Sequence, residues 1–212
     1  NGTSNYVLSS MDVNQTSFKD TINNAIKLGY AESNPSSDIN GEDVASKVKI
    51  LSCLSFNSFI NKNIHIEGIK NIDEEDIINA NKLGYKIKLM GFSEILNNKI
   101  FQRVHPTLVK KASYIASVNG VLNAVIIDGK PIGKNIIQGE GAGPSATTSA
   151  LISDISSILR GNIKFPFAIS ESKRKNYLSG KISDLFFSSY IRLNVKDKYG
   201  VLSDVTKIFS NN

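Results

Sequence analysis

The sequence holds a single cysteine, Cys53, in 212 residues. No disulfide can close within the chain, and a reducing compartment fits. Cys53 lies in an apolar stretch, where a thiol reads as a small buried hydrophobe rather than a nucleophile. No apolar run approaches the length of a membrane span, and the first residues show no charged-then-apolar signal segment. A cytoplasmic location and no membrane partner are therefore expected. Only two histidines occur, His65 and His105. No grouping of His, Cys and carboxylates has ligand spacing, so no metal is expected.

The formal charge of +6 invites a nucleic-acid reading, but its distribution opposes one. Residues 1–60 hold four Lys against six Asp or Glu, and the remaining excess of Lys and Arg is scattered among Asn and Ile. A phosphate-tracking surface concentrates its cations in a stripe, so no nucleic-acid partner is expected.

At 41% hydrophobic residues, the chain can bury one good core and part of a second. Asn1–Gly2–Thr3 reads as a turn, followed by the short apolar stretch Tyr6–Val7–Leu8. The absence of an initial Met suggests a piece of a longer protein. Ser17 to Leu28 reads as an amphipathic helix capped by Ser17 and stopped by Gly29. A second helix opens on Asp73–Glu74–Glu75–Asp76, acids that suit a first helical turn, and ends at Gly84. From Tyr85 the period becomes two: 85–90, 99–104 in part, 121–127 and 132–138 are β-rich. Asn97–Asn98 and Asp128–Gly129 supply the turns. Helices followed by hairpin-linked strands argue for an α+β fold, with helices packed on one face of an open mixed or antiparallel sheet.

The most informative stretch is 29–56. A polar loop bearing Glu32, Asp38 and Asp43 leads into a helix whose C-terminal end, around Leu51, is apolar all round and is expected to be buried on nearly all sides. Asp38 or Asn40 suits its N-cap. Lys47 follows Asp43 by four residues and shares its face. That pair is either an exposed ion pair worth about 0.3–0.5 kcal/mol or a lysine tuned for proton donation.

Later, Gly139–Glu140–Gly141–Ala142–Gly143 ends a strand and precedes a helix from Pro144 to about Leu159. Such a loop brings backbone close to a ligand and offers free N–H groups. Its spacing is not the dinucleotide fingerprint, and a tight structural turn is the alternative. Beyond Gly161 comes a stretch with Pro166 and Lys173–Arg174–Lys175 that reads as a solvated linker. Ser188 to Val195 then alternates like a strand, and a helix follows to Asn212.

Residues 29–51 (GYAESNPSSDINGEDVASKVKIL), the opening NGTSNY, RVHPTLV at 103–109 and GEGAG at 139–143 together resemble homoserine dehydrogenase, in the family's order and spacing over about residues 1–160. The resemblance implies that helices pack on an open sheet that also forms a homodimer interface, and that the activity is NAD(P)H-dependent interconversion of L-aspartate 4-semialdehyde and L-homoserine. It implies Lys47 and Asp43 as catalytic residues, with Lys47 the proton donor. It implies Glu32, Asp43 and Asp38 at the substrate, Glu32 on its α-ammonium. It further implies that Thr3 lines the same pocket and that Gly139, Gly141 and Gly143 lie beside NADP or NAD. For Asp38 a helix cap is an equal alternative, as a turn role is for Thr3.

Residues 1–143 are thus expected to form the catalytic and dimerisation domain. Residues 144–165 would be a helix returning to a nucleotide-binding domain lacking in this sequence, and 166–184 a linker. Residues 185–212 resemble the opening strand and helix of an ACT domain, a partial βα unit. Without the nucleotide-binding domain the chain is expected to be inactive alone. A non-catalytic amino-acid-binding or regulatory fragment is the other reading.

Overall fold

The computed structural model describes residues 1–59, 64–163, 167 and 169–210. Its first element is a helix rather than a turn: α1 runs Gly2–Asn14. The Asn1 side chain caps it by accepting from the Ser4 N–H, and an Asn at the N-cap satisfies a donor that would otherwise face no partner. α2 (Phe18–Lys27) starts at the expected Ser17 cap. α3 is one short turn, Ser36–Ile39, and α4 spans Glu42–Phe56. α5 (Glu74–Lys82) opens with a reciprocal capping box between Asp73 and Asp76.

The strands are β1 (His65–Ile66), β2 (Tyr85–Leu96), β3 (Lys99–Lys110), β4 (Leu122–Gly129), β5 (Gly133–Glu140) and β6 (Leu178–Ser179). They form two sheets. In the larger, β2 and β3 pair antiparallel around Asn97–Asn98, both at positive φ, the conformation of a tight two-residue hairpin turn. Its order is β1-β3-β2, with β1 and β6 parallel to β3. β4 and β5 make a separate hairpin. Its turn lies at Lys130–Ile132, because Asp128 and Gly129, expected as the turn, remain paired with Lys134 and Gly133. α6 (Pro144–Leu159) and α7 (Val201–Ser210) follow.

Helices cover one face of the larger sheet. Val7, Leu8 and Met11 of α1 join Ile77 and Ala80 of α5 over Ile87. Val44, Ala45 and Val48 of α4 pack on Val104. Gly91 makes that approach possible, since a Cβ there would overlap Val48 and lie 2.9 Å from Val44 Cγ1. The far end of α4 departs from expectation. Ser52 and Cys53 are buried, but Ile50, Leu51 and Leu54 are exposed, so only one side of this turn meets the sheet.

The C-terminal part also differs from its reading. Within the stretch read as a solvated linker, the Lys175 N–H donates to Asn57 O at 2.8 Å, β6 pairs with β3, and Gly180 is buried against the Phe101 ring. Residues 188–195 pair with no strand, so the strand of the ACT-like unit is not formed. Arg192 fixes this segment instead, donating to Asp73, Glu75 and Asp76, while Tyr190 donates to Asp76. The acids at the start of α5 therefore both cap the helix and hold the chain's later segment.

Candidate active site

Three helices meet at the N-terminus of α1. The Asn1 carboxamide accepts from Ser4 with its oxygen. With its nitrogen it donates to Asp38 Oδ1 and to Asp43 Oδ2, both at 2.6 Å. One amide group thereby ties α1 to α3 and α4. Asp38 caps nothing: its carboxylate belongs to this bridge, and the N-cap of α4 is Gly41, in a left-handed conformation without a side-chain cap.

Lys47 Nζ lies 2.7 Å from Asp43 Oδ2, the i,i+4 pairing that the helix dictates. The lysine side chain is 53% exposed and Asp43 31%, so the amine stands at a surface with its carboxylate beneath it. Burial alone would push the Asp43 carboxyl up. Hydrogen bonds from Lys47 and Asn1, with the charge of Lys47, outweigh it and hold Asp43 below the ordinary carboxylate value. Asp43 is consequently ionised throughout the neutral range, and it orients the ammonium it faces.

Thr3, in the first turn of α1, donates from Oγ1 to Tyr30 O at 2.9 Å, and the Tyr6 and Tyr30 rings sit 5.0 Å apart. These contacts fasten the loop that carries Glu32. Glu32 itself is exposed and takes no part in the Asn1–Asp38–Asp43–Lys47 hydrogen bonds.

The glycine loop adjoins the same corner. A Cβ on Gly2 would fall 2.8 Å from Val121 O, so α1 starts in direct contact with the segment entering β4. Asn5, a turn further along α1, donates to Val118 O and Leu122 O at 3.0 Å each. Leu122 pairs with Glu140 and Asn123 with Gly139. Gly139 and Glu140 therefore lie one strand spacing, about 4.8 Å, from residues that α1 holds. Gly141 packs against the Asn123 side chain, where a Cβ would overlap. Gly143 has φ 109° and nothing within 4 Å of its Cβ position, and it precedes Pro144 at the first turn of α6. Open space at a helix N-terminus with free N–H groups suits a phosphate or a carboxamide, so these residues fit a nicotinamide cofactor.

Asn1 escaped the sequence reading because Asn–Gly–Thr reads as a turn. Its side-chain bonds could have been sought only after α1 was recognised. Among the described residues no group of three or more His, Cys, Asp or Glu could hold a metal ion, and no helix is long and apolar enough to cross a membrane.

Comparison with known proteins bears on the chain as a whole. The homoserine dehydrogenase family model matches residues 1–156. The Helicobacter pylori homoserine dehydrogenase is 40% identical over the whole chain, which spans 50% of that protein. A solved homoserine dehydrogenase from Thiobacillus denitrificans superposes with a TM-score of 0.87 at 33% identity, over 100% of this chain and 50% of that one. A hyperthermophilic archaeal homoserine dehydrogenase mutant, solved in complex with NADPH, superposes at 0.63 and 27% identity over 80% of this chain and 47% of that one. The chain spans about half the length of the curated relatives it matches. With the family model matching residues 1–156 and a relative 40% identical over the chain's whole length, this chain belongs to the homoserine dehydrogenase family.

Proposed function

We propose that this chain is the substrate-binding and catalytic portion of an NAD(P)-dependent homoserine dehydrogenase that interconverts L-aspartate 4-semialdehyde and L-homoserine. The observation that carries this reading is the Lys47 amine, 2.7 Å from Asp43 and on the same corner as the glycine loop. When bound, the nicotinamide supplies or takes up the hydride; NADP and NAD are both compatible with the residues present. In aldehyde reduction, charge develops on the carbonyl oxygen. Lys47 stabilises that oxygen while cationic and then gives it a proton. Asp43 keeps the amine aimed and helps balance the substrate's α-ammonium, because a cation withdrawn from water needs paired charge. Glu32, carried on the loop that Thr3 fastens, supplies the second carboxylate to that ammonium. Asp38 holds its place through Asn1 and supports Asp43.

Hydride transfer is expected only with the nucleotide-binding portion present, as Gly139, Gly141 and Gly143 offer backbone alone. A homodimer formed through the sheet is part of the same reading, and sedimentation of the intact parent tests it. Replacing Lys47 with Ala in the intact parent should lower homoserine oxidation by two or more orders of magnitude, a general acid contributing about 10²–10⁴-fold, with circular dichroism unchanged. Near-normal turnover would remove Lys47 from this role. Glu32→Gln should raise the KM for homoserine with little change in kcat, and an unchanged KM would count against its place on the ammonium.

A further inference from the structure

Lys88 lies on β2 and is only 6% exposed. Its ammonium donates to Val118 O at 2.6 Å and to Asn5 Oδ1 at 2.9 Å, with Asn119 Oδ1 at 3.3 Å and Ser9 Oγ at 3.4 Å. All four are neutral oxygens. The nearby Asp12 carboxylate is engaged by Lys86 at 3.2 Å and by Asn81. Burial pushes Lys88 down to about 8, the positive charge of Lys86 adding to the effect and Asp12 opposing it. Four converging acceptors favour the ammonium over the amine.

A buried cation without a carboxylate is a costly way to fill space, and an apolar chain of the same length would do so at less expense. What a multivalent donor provides is a fixed relation among the groups that accept from it. Here the acceptors come from two elements. α1 starts at its cap Asn1, which donates to Asp38 and Asp43 on the carboxylate–lysine side. Residues 118–122 lead into β4, whose partner strand ends in the glycine loop. Asn5 sits between them, accepting from Lys88 and donating to Val118 and Leu122.

We propose that Lys88 is a positioning residue, clamping α1 to the 118–122 segment and so setting the distance between the Lys47–Asp43 pair and the glycine loop. This rests on the function proposed above, since the distance matters only if hydride passes between those two places. Each partner is then held on its own, and what the clamp governs is their mutual alignment.

The test uses the intact parent enzyme with Lys88→Met and Asn5→Ala. For Lys88→Met, kcat for homoserine oxidation should fall tenfold or more, with KM for homoserine and for the cofactor within threefold of wild type. The primary isotope effect with homoserine deuterated at its carbinol carbon should rise, as hydride transfer becomes the slow step. Amide exchange should quicken in residues 2–8 and 118–124 but not in β3. Asn5→Ala should show the same pattern more weakly, and it decides the matter if Lys88→Met does not fold. A kcat within twofold of wild type, or activity lost only in step with the folded fraction at an unchanged isotope effect, overturns the proposal. Unchanged exchange in both segments overturns it whatever the activity, whereas a wild-type parent that fails to oxidise homoserine counts against the function and leaves the exchange result to judge the clamp.

Discussion

Helices α1 and α6 look alike on paper and live in different surroundings. Each mixes small polar residues with a few aliphatic ones. In α1, Val7, Leu8 and Met11 are at most 1% exposed. In α6 no residue is buried, and Leu151, Ile152, Ile155 and Ile158 are each more than half exposed. The β4–β5 hairpin preceding α6 shares this openness, with Ile126, Ile127, Ile136 and Ile137 at the surface. The contrast teaches that periodicity specifies an element, while burial is decided by what stands opposite it. α1 has β2 and α5 to press against, and α6 has no such partner among the described residues.

The sharpest way to break the contrast is to hollow the packed side. Leu8→Ala should cost about 2–5 kcal/mol in urea unfolding, and a cost below 1 would mean the α1 core is no better packed than α6. A pH signature should also belong to the packed side. The folded chain holds the Lys88 proton less tightly than the unfolded one, about 8 against 10.5. The unfolded chain therefore binds more protons between those values, and stability should rise with pH across that window. The full difference corresponds to roughly 3 kcal/mol as an upper bound, because the four hydrogen bonds to the ammonium oppose it. Unfolding at pH 7.5 and 10 should show the rise in wild type and lose it in Lys88→Met.

Gly91→Ala should cost about 1–3 kcal/mol by forcing Val44 and Val48 off the sheet. Smallest of all, Leu151→Ser should change the stability of this chain by no more than about 0.5 kcal/mol. A loss of 1 kcal/mol or more in the intact parent would show that α6 is covered there.

The parts of the fold visible in the sequence were those with local causes. Ser17 caps α2, the Asp73–Asp76 box opens α5, and Asn97–Asn98 turns β2 into β3, all through residues a few positions apart. Asp43 and Lys47 were likewise legible, because helical spacing alone brings them together. Glu32, Thr3 and the glycine loop could be named only through resemblance to a family, since nothing local links them. What stayed hidden was long-range. Lys88 alternates with Ile87 in a strand pattern that assigns it outward, yet both are buried, the one in the apolar core and the other among oxygens from two distant segments. Arg192 reads as a strand residue, and its acidic partners lie more than a hundred positions earlier. Ile50, Leu51 and Leu54 misled in the opposite direction, because an apolar turn does not create its own cover.

Gly2 carries a consequence out of proportion to its size. With Val121 O only 2.8 Å from where a first side-chain carbon would stand, the seam joining the carboxylate corner to the hairpin has less slack than one methyl group. Even alanine there must wedge the two apart, and under the proposed function a gap of that width would fall between the Lys47–Asp43 pair and the cofactor loop. On that reading the tolerance of the chemistry is written at a residue that has no side chain with which to take part in it.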